Sequence, residues 1–257
     1  MKTTNNTILI TGGGSGIGHG LAEAFHRLGN QVIIAGRGRK ALDETTGANR
    51  GMKSVTLDVS DAKGIQSFAA KVTKKYPSLN VLINNAGIMG PENLLEASND
   101  LSTAEKIVTT NLLGPIGLTA ALLPSLRKQP RATIMNVSSG LAFVPFAVTP
   151  TYCATKAAIH SYTQSLRYQL KSTKVEVIEL IPPYVQTMLM GDQQANDPRA
   201  MPLDEFIDEA TSILKSQPDV KEVCVKKVYP LRFSAEHGQQ KYEEFFQQFN
   251  DSFANEL

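Results

Sequence analysis

Tyr152 and Lys156 stand four residues apart in the segment YCATKAAIHSYTQSL, and on a helix that spacing puts a phenol and an ammonium on one face. A free tyrosine, with a pKa of about 10, is a weak acid at neutral pH; a neighbouring cation favours the phenolate and lowers that value. Such a pair can deliver or remove a proton. Upstream, the run Asn136-Val137-Ser138-Ser139-Gly140 ends a β-rich segment and supplies the Ser139 hydroxyl, suited to holding a carbonyl oxygen beside the phenol. Taken singly, a buried tyrosine or a capping serine is as good a reading. In combination and in this order the residues read as acid–base chemistry on a carbonyl or alcohol.

The residues after the first β-rich run have the composition of a phosphate cradle. Thr11-Gly12-Gly13-Gly14-Ser15-Gly16-Ile17-Gly18 allows a tight turn, brings amide N–H groups against a pyrophosphate and sets that anion at a positive helix N-terminus. Its spacing, G-x-x-x-G-x-G, differs from the G-x-G-x-x-G fingerprint, and a plain strand-to-helix turn is the alternative. The second strand ends in Gly36-Arg37-Gly38-Arg39, without the acid that NAD-binding folds place on the ribose 2′-hydroxyl. A guanidinium there matches a 2′-phosphate. NADP(H) is therefore favoured over NAD(H), unless Arg37 and Arg39 are ordinary solvated charges. Asp58, beside Val59, either accepts a hydrogen bond from an adenine amino group or caps the turn before Ser60. Asn84-Asn85-Ala86-Gly87 combines side-chain amides with small residues against which a nucleoside can press.

Positioning these groups falls to an alternating pattern. β-Branched runs at 7–10, 31–35, 54–57, 81–84, 132–137, 175–181 and 222–225 alternate with helical spacing at 17–28, 62–76, 103–126, 152–170 and 203–214. That pattern predicts an α/β, Rossmann-type, doubly wound parallel sheet of seven strands with helices on both faces, in one domain over 1–257. The apolar runs VLIN and TIMNV fit strands covered on both faces. The stretch 188–202 is either a lid over the strand ends, with a substrate loop at about 187–203, or a surface loop. Leu141, Phe143, Val144, Pro145, Phe146, Tyr184, Met188, Leu189 and Met190 line a pocket for a substrate with an apolar body, or else pack in the core. Tyr242, Phe245, Phe246, Phe249 and Phe253 recur at helical spacing, so one aromatic face must be buried, on the chain itself or in a subunit interface.

Composition narrows the classes. The 257 residues are 42% apolar and 19% charged with net charge +2, and the charges form no basic stripe, so no nucleic-acid partner is expected. No run approaches the roughly 20 apolar residues of a membrane span. The start, MKTTNNTILITGG, lacks the features of a signal peptide, which places the chain in the cytoplasm. Cys153 and Cys224 have neither CxxC spacing nor paired histidines, so no metal site is expected and a reducing compartment fits.

With Gly12, Gly16 and Gly18, the Asn84–Gly87 run, Asn111 in NLLG, Ser139, Tyr152 and Lys156 in this order, the chain resembles the short-chain dehydrogenase/reductase family in its single-domain branch. The resemblance implies that Tyr152 is the general acid/base, Ser139 positions the substrate oxygen, Lys156 lowers the tyrosine pKa and holds the nicotinamide ribose, and Asn111 anchors a relay water. It implies cofactor contacts from Ser15, Ile17, Val59, Pro182, Val185 and Thr187, and a homodimer or homotetramer built on the 103–126 and 152–170 helices. The chain departs from the family where Ile181-Pro182-Pro183-Tyr184 carries Pro183 in place of the usual glycine, which removes a donor. VEVIELIPPYVQT, YCATKAAIHSYTQSLRYQL and the MPLDEF helix resemble the DltE-type subgroup of oxidoreductases. The alternatives to an enzyme on a small carbonyl or alcohol are a catalytically silent NADP-binding regulator and an interaction module.

Overall fold

Seven strands hydrogen-bond in the order β3-β2-β1-β4-β5-β6-β7, every pair parallel, in a computed structural model that describes residues 1–95 and 100–253. The expected single domain over 1–257 thus includes residues 96–99 and 254–257, which lie outside the described part. In chain order the elements are β1 (Thr7–Thr11), α1 (Gly16–Arg27), β2 (Gln31–Gly36), α2 (Arg39–Ala48), β3 (Lys53–Thr56), α3 (Ala62–Lys75) and β4 (Leu79–Asn84). There follow α4 (Ser102–Val108), α5 (Gly114–Leu126), β5 (Ala132–Val137), α6 (Pro150–Gln169), β6 (Val175–Ile181), α7 (Asp192–Asn196), α8 (Leu203–Ser216), β7 (Glu222–Cys224), α9 (Tyr229–Arg232) and α10 (Gln239–Asp251).

Every residue of β1 and β5 is buried, because helices cover both faces of the parallel sheet. One face packs Ile8, Ile10 and Ile34 against Leu21 and Phe25 of α1 and Phe206 and Ile207 of α8. The other packs Leu9, Ile33 and Ile134 against Phe68 and Val72 of α3 and Leu118 and Leu122 of α5. Strand order reverses between β1 and β4, and in such sheets the crevice for ligands opens there, beyond the carboxyl ends of the strands.

The α/β reading and the seven strands hold, with instructive differences. β3 spans 53–56 because Leu57 donates to the Gly36 carbonyl (3.0 Å) while the chain already turns at Asp58. α2 escaped the periodicity because only Leu42 and Thr45 are buried on it. The single helix expected over 103–126 is interrupted by a π-helical turn, Thr109–Leu113, between α4 and α5. A side chain at Gly114 would stand 2.7 Å from the Val59 carbonyl, so glycine permits the close approach where the helix resumes.

By length and composition Ser102–Leu126 could cross a membrane, which corrects the expectation that no such stretch exists. Here Ile107, Leu118, Leu122 and Leu126 are buried in the core. The tail forms α10, yet none of its residues is fully buried. The aromatic face is therefore half-covered, by Phe146 and its neighbours on the same chain.

Candidate active site

Ser139, Tyr152 and Lys156 converge on one cavity of about 460 Å³ at the carboxyl edge of the sheet, and the cavity extends to Gly12, Ser15, Gly16 and Ile17 of the glycine turn. β5 ends at Val137 and delivers Ser139 in extended conformation, where its hydroxyl accepts from the Leu141 amide (3.1 Å) and caps a short turn. Pro150 opens α6 at its first position, where a missing N–H costs nothing. Tyr152 and Lys156 then lie one turn apart, both buried. Buried amides tie this helix to the sheet. Asn84 donates to Asn136 (2.8 Å) and to Thr119 (3.0 Å), and Asn136 donates to Thr163 of α6 (2.9 Å).

The electrostatics correct one expectation. Burial pushes the Tyr152 phenol well above the ordinary tyrosine range, and the hydrogen bond with Ser139 offsets only part of this. Burial thus outweighs any lowering by the neighbouring Lys156 ammonium. Its Nζ donates to the Val137 carbonyl (2.9 Å) and lies 5.5 Å from the centre of the tyrosine ring. Burial lowers the Lys156 pKa to about 8, against the opposing charge of Glu179. Glu179 is fully buried on β6 and held by His160 Nδ1 at 2.8 Å. Replacing Glu179 by Gln removes the charge that favours the ammonium, so the alkaline limb of the rate profile is expected to move to lower pH. An unmoved limb in a pH–kcat series would show that Glu179 does not act through Lys156. The ligand atoms of His160, Glu179 and Glu222 lie within 4.8 Å of one another, but Arg232 already bridges Glu222 at 2.7 Å.

The glycine turn fits a dinucleotide pyrophosphate. Ser15 precedes α1 without making a side-chain cap, which leaves the first-turn amides without that partner, and Ser15, Gly16 and Ile17 line the cavity at the positive end of the helix dipole. Gly12 and Gly16 adopt φ of 68° and 50°. Gly18 is buried behind the turn, where an added Cβ would collide with the Gly12 carbonyl and the Asn85 amide. Gly18→Ala is therefore expected to cost about 1–3 kcal/mol by overpacking, read as a lower Tm in thermal unfolding. An unchanged Tm would mean that the turn yields freely. Asn85 donates from its side chain to the Thr11 carbonyl (3.0 Å), and the amides of Asn85 and Ala86 donate to the Thr11 hydroxyl (3.0 and 3.1 Å). That braces the run Asn85-Ala86-Gly87 along the cavity wall.

Among the other expected site residues, Leu141, Phe146, Pro182, Tyr184, Val185, Thr187 and Met188 line the cavity, as does Pro183. Arg37, Asp58, Val59 and Asn111 do not. Arg37 is exposed beyond β2. The Asp58 carboxyl is held below the usual range first by the Ser60 hydroxyl (2.7 Å), then by the Ser60 amide (2.9 Å), and more weakly by the Arg37 charge. Of the two readings of Asp58, turn-capping is thus met. Asn111 sits behind the wall with both side-chain atoms on Ile88: Oδ1 accepts from its amide (2.8 Å) and Nδ2 donates to its carbonyl (2.8 Å). Phe143 turns away from the cavity to pack on His160 (4.7 Å). Val144 is buried and Pro145 exposed, and neither lines the cavity.

The 188–202 stretch is anchored more firmly than a free loop. Gln194 Nε2 donates to the Val185 carbonyl (2.8 Å), and Val185 pairs with Met201 across its base, where the Gln186 amide donates to the Met201 carbonyl (2.8 Å). Wall residues that escaped sequence reasoning include Ile88, Met89, Gln194, Leu231, Phe249 and Phe253. The aromatic periodicity of the tail was the signal available for the last two.

A parallel seven-stranded sheet carrying a serine, a tyrosine and a lysine at its carboxyl edge, opposite a glycine turn, defines a Rossmann-type oxidoreductase, and the short chain dehydrogenase family model matches residues 6–198. The chain belongs to that family. Within it, the chain is 40% identical over 97% of its length to the uncharacterized oxidoreductase DltE of Bacillus subtilis strain 168, of which it covers 98%. Among solved structures, a short chain dehydrogenase from Burkholderia cenocepacia J2315 in complex with NADP superposes with TM-score 0.81 at 24% identity, over 95% of this chain and 99% of that one. A short chain dehydrogenase/reductase from Burkholderia phymatum in complex with NAD gives 0.78 at 21%, over 92% and 95%.

Proposed function

We propose that this chain transfers hydride between NADP(H) and the carbon of a carbonyl or secondary alcohol, with Tyr152 as general acid/base. The observation that carries this reading is the single cavity joining the Tyr152–Ser139–Lys156 cluster to the open first turn of α1. When bound, the cofactor supplies the hydride. Gly12, Ser15, Gly16 and Ile17 would hold its pyrophosphate, with Asn85, Ala86 and Gly87 along one wall and Pro182, Val185 and Thr187 along the other.

Ser139 orients the substrate oxygen toward the phenol. In the reducing direction Tyr152 delivers its proton to that oxygen, and burial keeps the phenol protonated until it is called on. Lys156, with a pKa of about 8, stays largely protonated at neutral pH. It supplies the positive charge that offsets the phenolate left behind and is placed to hold the nicotinamide ribose. Asn111 acts as a brace, fixing the Ile88 backbone beside the cavity through the π turn.

Arg37 supports NADP(H) over NAD(H), as an exposed guanidinium beyond β2 where no acid stands. Exposed Leu113 and Tyr168, on the helices named for subunit contact, support a homodimer or homotetramer. The buried free thiols of Cys153 and Cys224 fit a reducing, cytoplasmic setting. Fluorescence titration with NADPH and NADH, followed by a panel of aldehydes, ketones and secondary alcohols, tests the reading. Tight NADPH binding with turnover of a panel member is expected, and failure to bind either nucleotide would overturn it.

A further inference from the structure

We propose that the substrate is a neutral carbonyl compound with an apolar, ring-sized body, seated against an aromatic wall formed by Phe146, Phe249 of α10 and the adjoining Phe253; this rests on the oxidoreductase reading above. Phe146, Phe249 and Phe253 meet edge to face, with centroids 5.9, 5.1 and 5.6 Å apart for the pairs 146–249, 146–253 and 249–253. All three line the cavity and belong to the cluster that contains Tyr152. Leu141, Leu231 and Met188 continue the apolar lining.

Charge sharpens the assignment. Among the described lining residues Lys156 alone is charged, and its ammonium is engaged by the Val137 carbonyl. Arg199 lies 4.4 Å from the Phe253 ring centre but pairs with Asp197 at 2.6 Å and is not part of the lining. A carboxylate or phosphate next to the reacting carbon would lose its hydration and meet no dedicated cation, a placement that burial penalises heavily. A neutral ring or branched chain, by contrast, gains the apolar contacts.

The way α10 is docked points to a wall that exists for an occupant. No residue of the helix is fully buried, so it gains little from core packing. It is fastened to the 145–147 loop by Asn250, whose Oδ1 accepts from the Ala147 amide (2.7 Å) and whose Nδ2 donates to the Pro145 carbonyl (3.1 Å). That clamp turns Phe249 and the adjoining Phe253 toward the cavity, where their remaining apolar surface is completed by what binds there.

The test uses the full chain and 4′-fluoroacetophenone, followed by 19F line broadening with and without saturating NADPH, beside 4-fluorophenylglyoxylate, which places a carboxylate on the carbonyl carbon. The neutral ketone is expected to bind at least about tenfold more tightly than the keto acid, and the double variant Phe249→Ala/Phe253→Ala to weaken the ketone about tenfold with NADPH affinity retained. If that variant unfolds, Phe249→Leu is expected to weaken the ketone by a smaller factor in the folded protein. No ketone binding to the wild type, equal binding of the keto acid, or a folded wall variant that binds the ketone as tightly as wild type overturns the proposal. Ketone binding in a protein that ignores NADPH would instead overturn the oxidoreductase reading and leave the wall standing.

Discussion

Tyr152→Phe is expected to lower kcat by about 10²–10⁴-fold, the usual contribution of a positioned general acid, while the NADPH dissociation constant stays nearly unchanged. Phenylalanine keeps the ring that packs with Ile107, Phe146 and Cys153, so the cluster around it survives. What disappears is the hydroxyl beside Ser139, the group placed to give its proton to the substrate oxygen. Because burial raises the phenol pKa, the wild-type group is a donor throughout the neutral range. Turnover with NADPH, paired with a binding titration, separates the two effects. Full activity in the folded variant would remove Tyr152 from the mechanism.

Arg37→Ala is expected to weaken NADPH by about 5–30-fold and NADH hardly at all. A charge-assisted hydrogen bond contributes about 1.5–3 kcal/mol, and the exposure of Arg37 brings the effect down to the lower part of that range and somewhat below it because solvent screens it. Arg39 provides the internal control. Its guanidinium already pairs with Asp43 at 2.9 Å one turn along α2, so Arg39→Ala should cost NADPH less than Arg37→Ala. Parallel titrations of both nucleotides read the result. Equal losses for NADPH and NADH would sink the assignment of Arg37 to a 2′-phosphate.

The parts of this molecule legible in its sequence are those governed by short-range rules. Runs such as TIMNV become strands because parallel sheets bury both faces, and the four-residue spacing of Tyr152 and Lys156 does put them on adjacent turns of α6. The glycine turn was legible because few other residues fit it, and Gly18 is the sharpest case.

What escaped depends on contacts remote in the chain. The π turn at Thr109–Leu113 brings Asn111 onto Ile88, a partner 23 residues away. No helical period announces it. The net direction of the tyrosine pKa was not legible because a four-residue spacing says nothing of desolvation, which outweighs the neighbouring ammonium. Glu179 reads no differently from Glu176 in the same strand, and only the fold reveals it as the buried charge acting on Lys156. The aromatic tail was seen as a face in need of cover. That part of this face would line the cavity follows from the Asn250 clamp, more than 100 residues from its partners.

The most direct test of the central claim is to supply NADPH deuterated at both C4 positions with a ketone that the protein reduces, and to locate the label in the product. Hydride transfer from the nicotinamide predicts deuterium on the carbinol carbon and a solvent proton on the oxygen. Product formed without deuterium on that carbon would contradict the account.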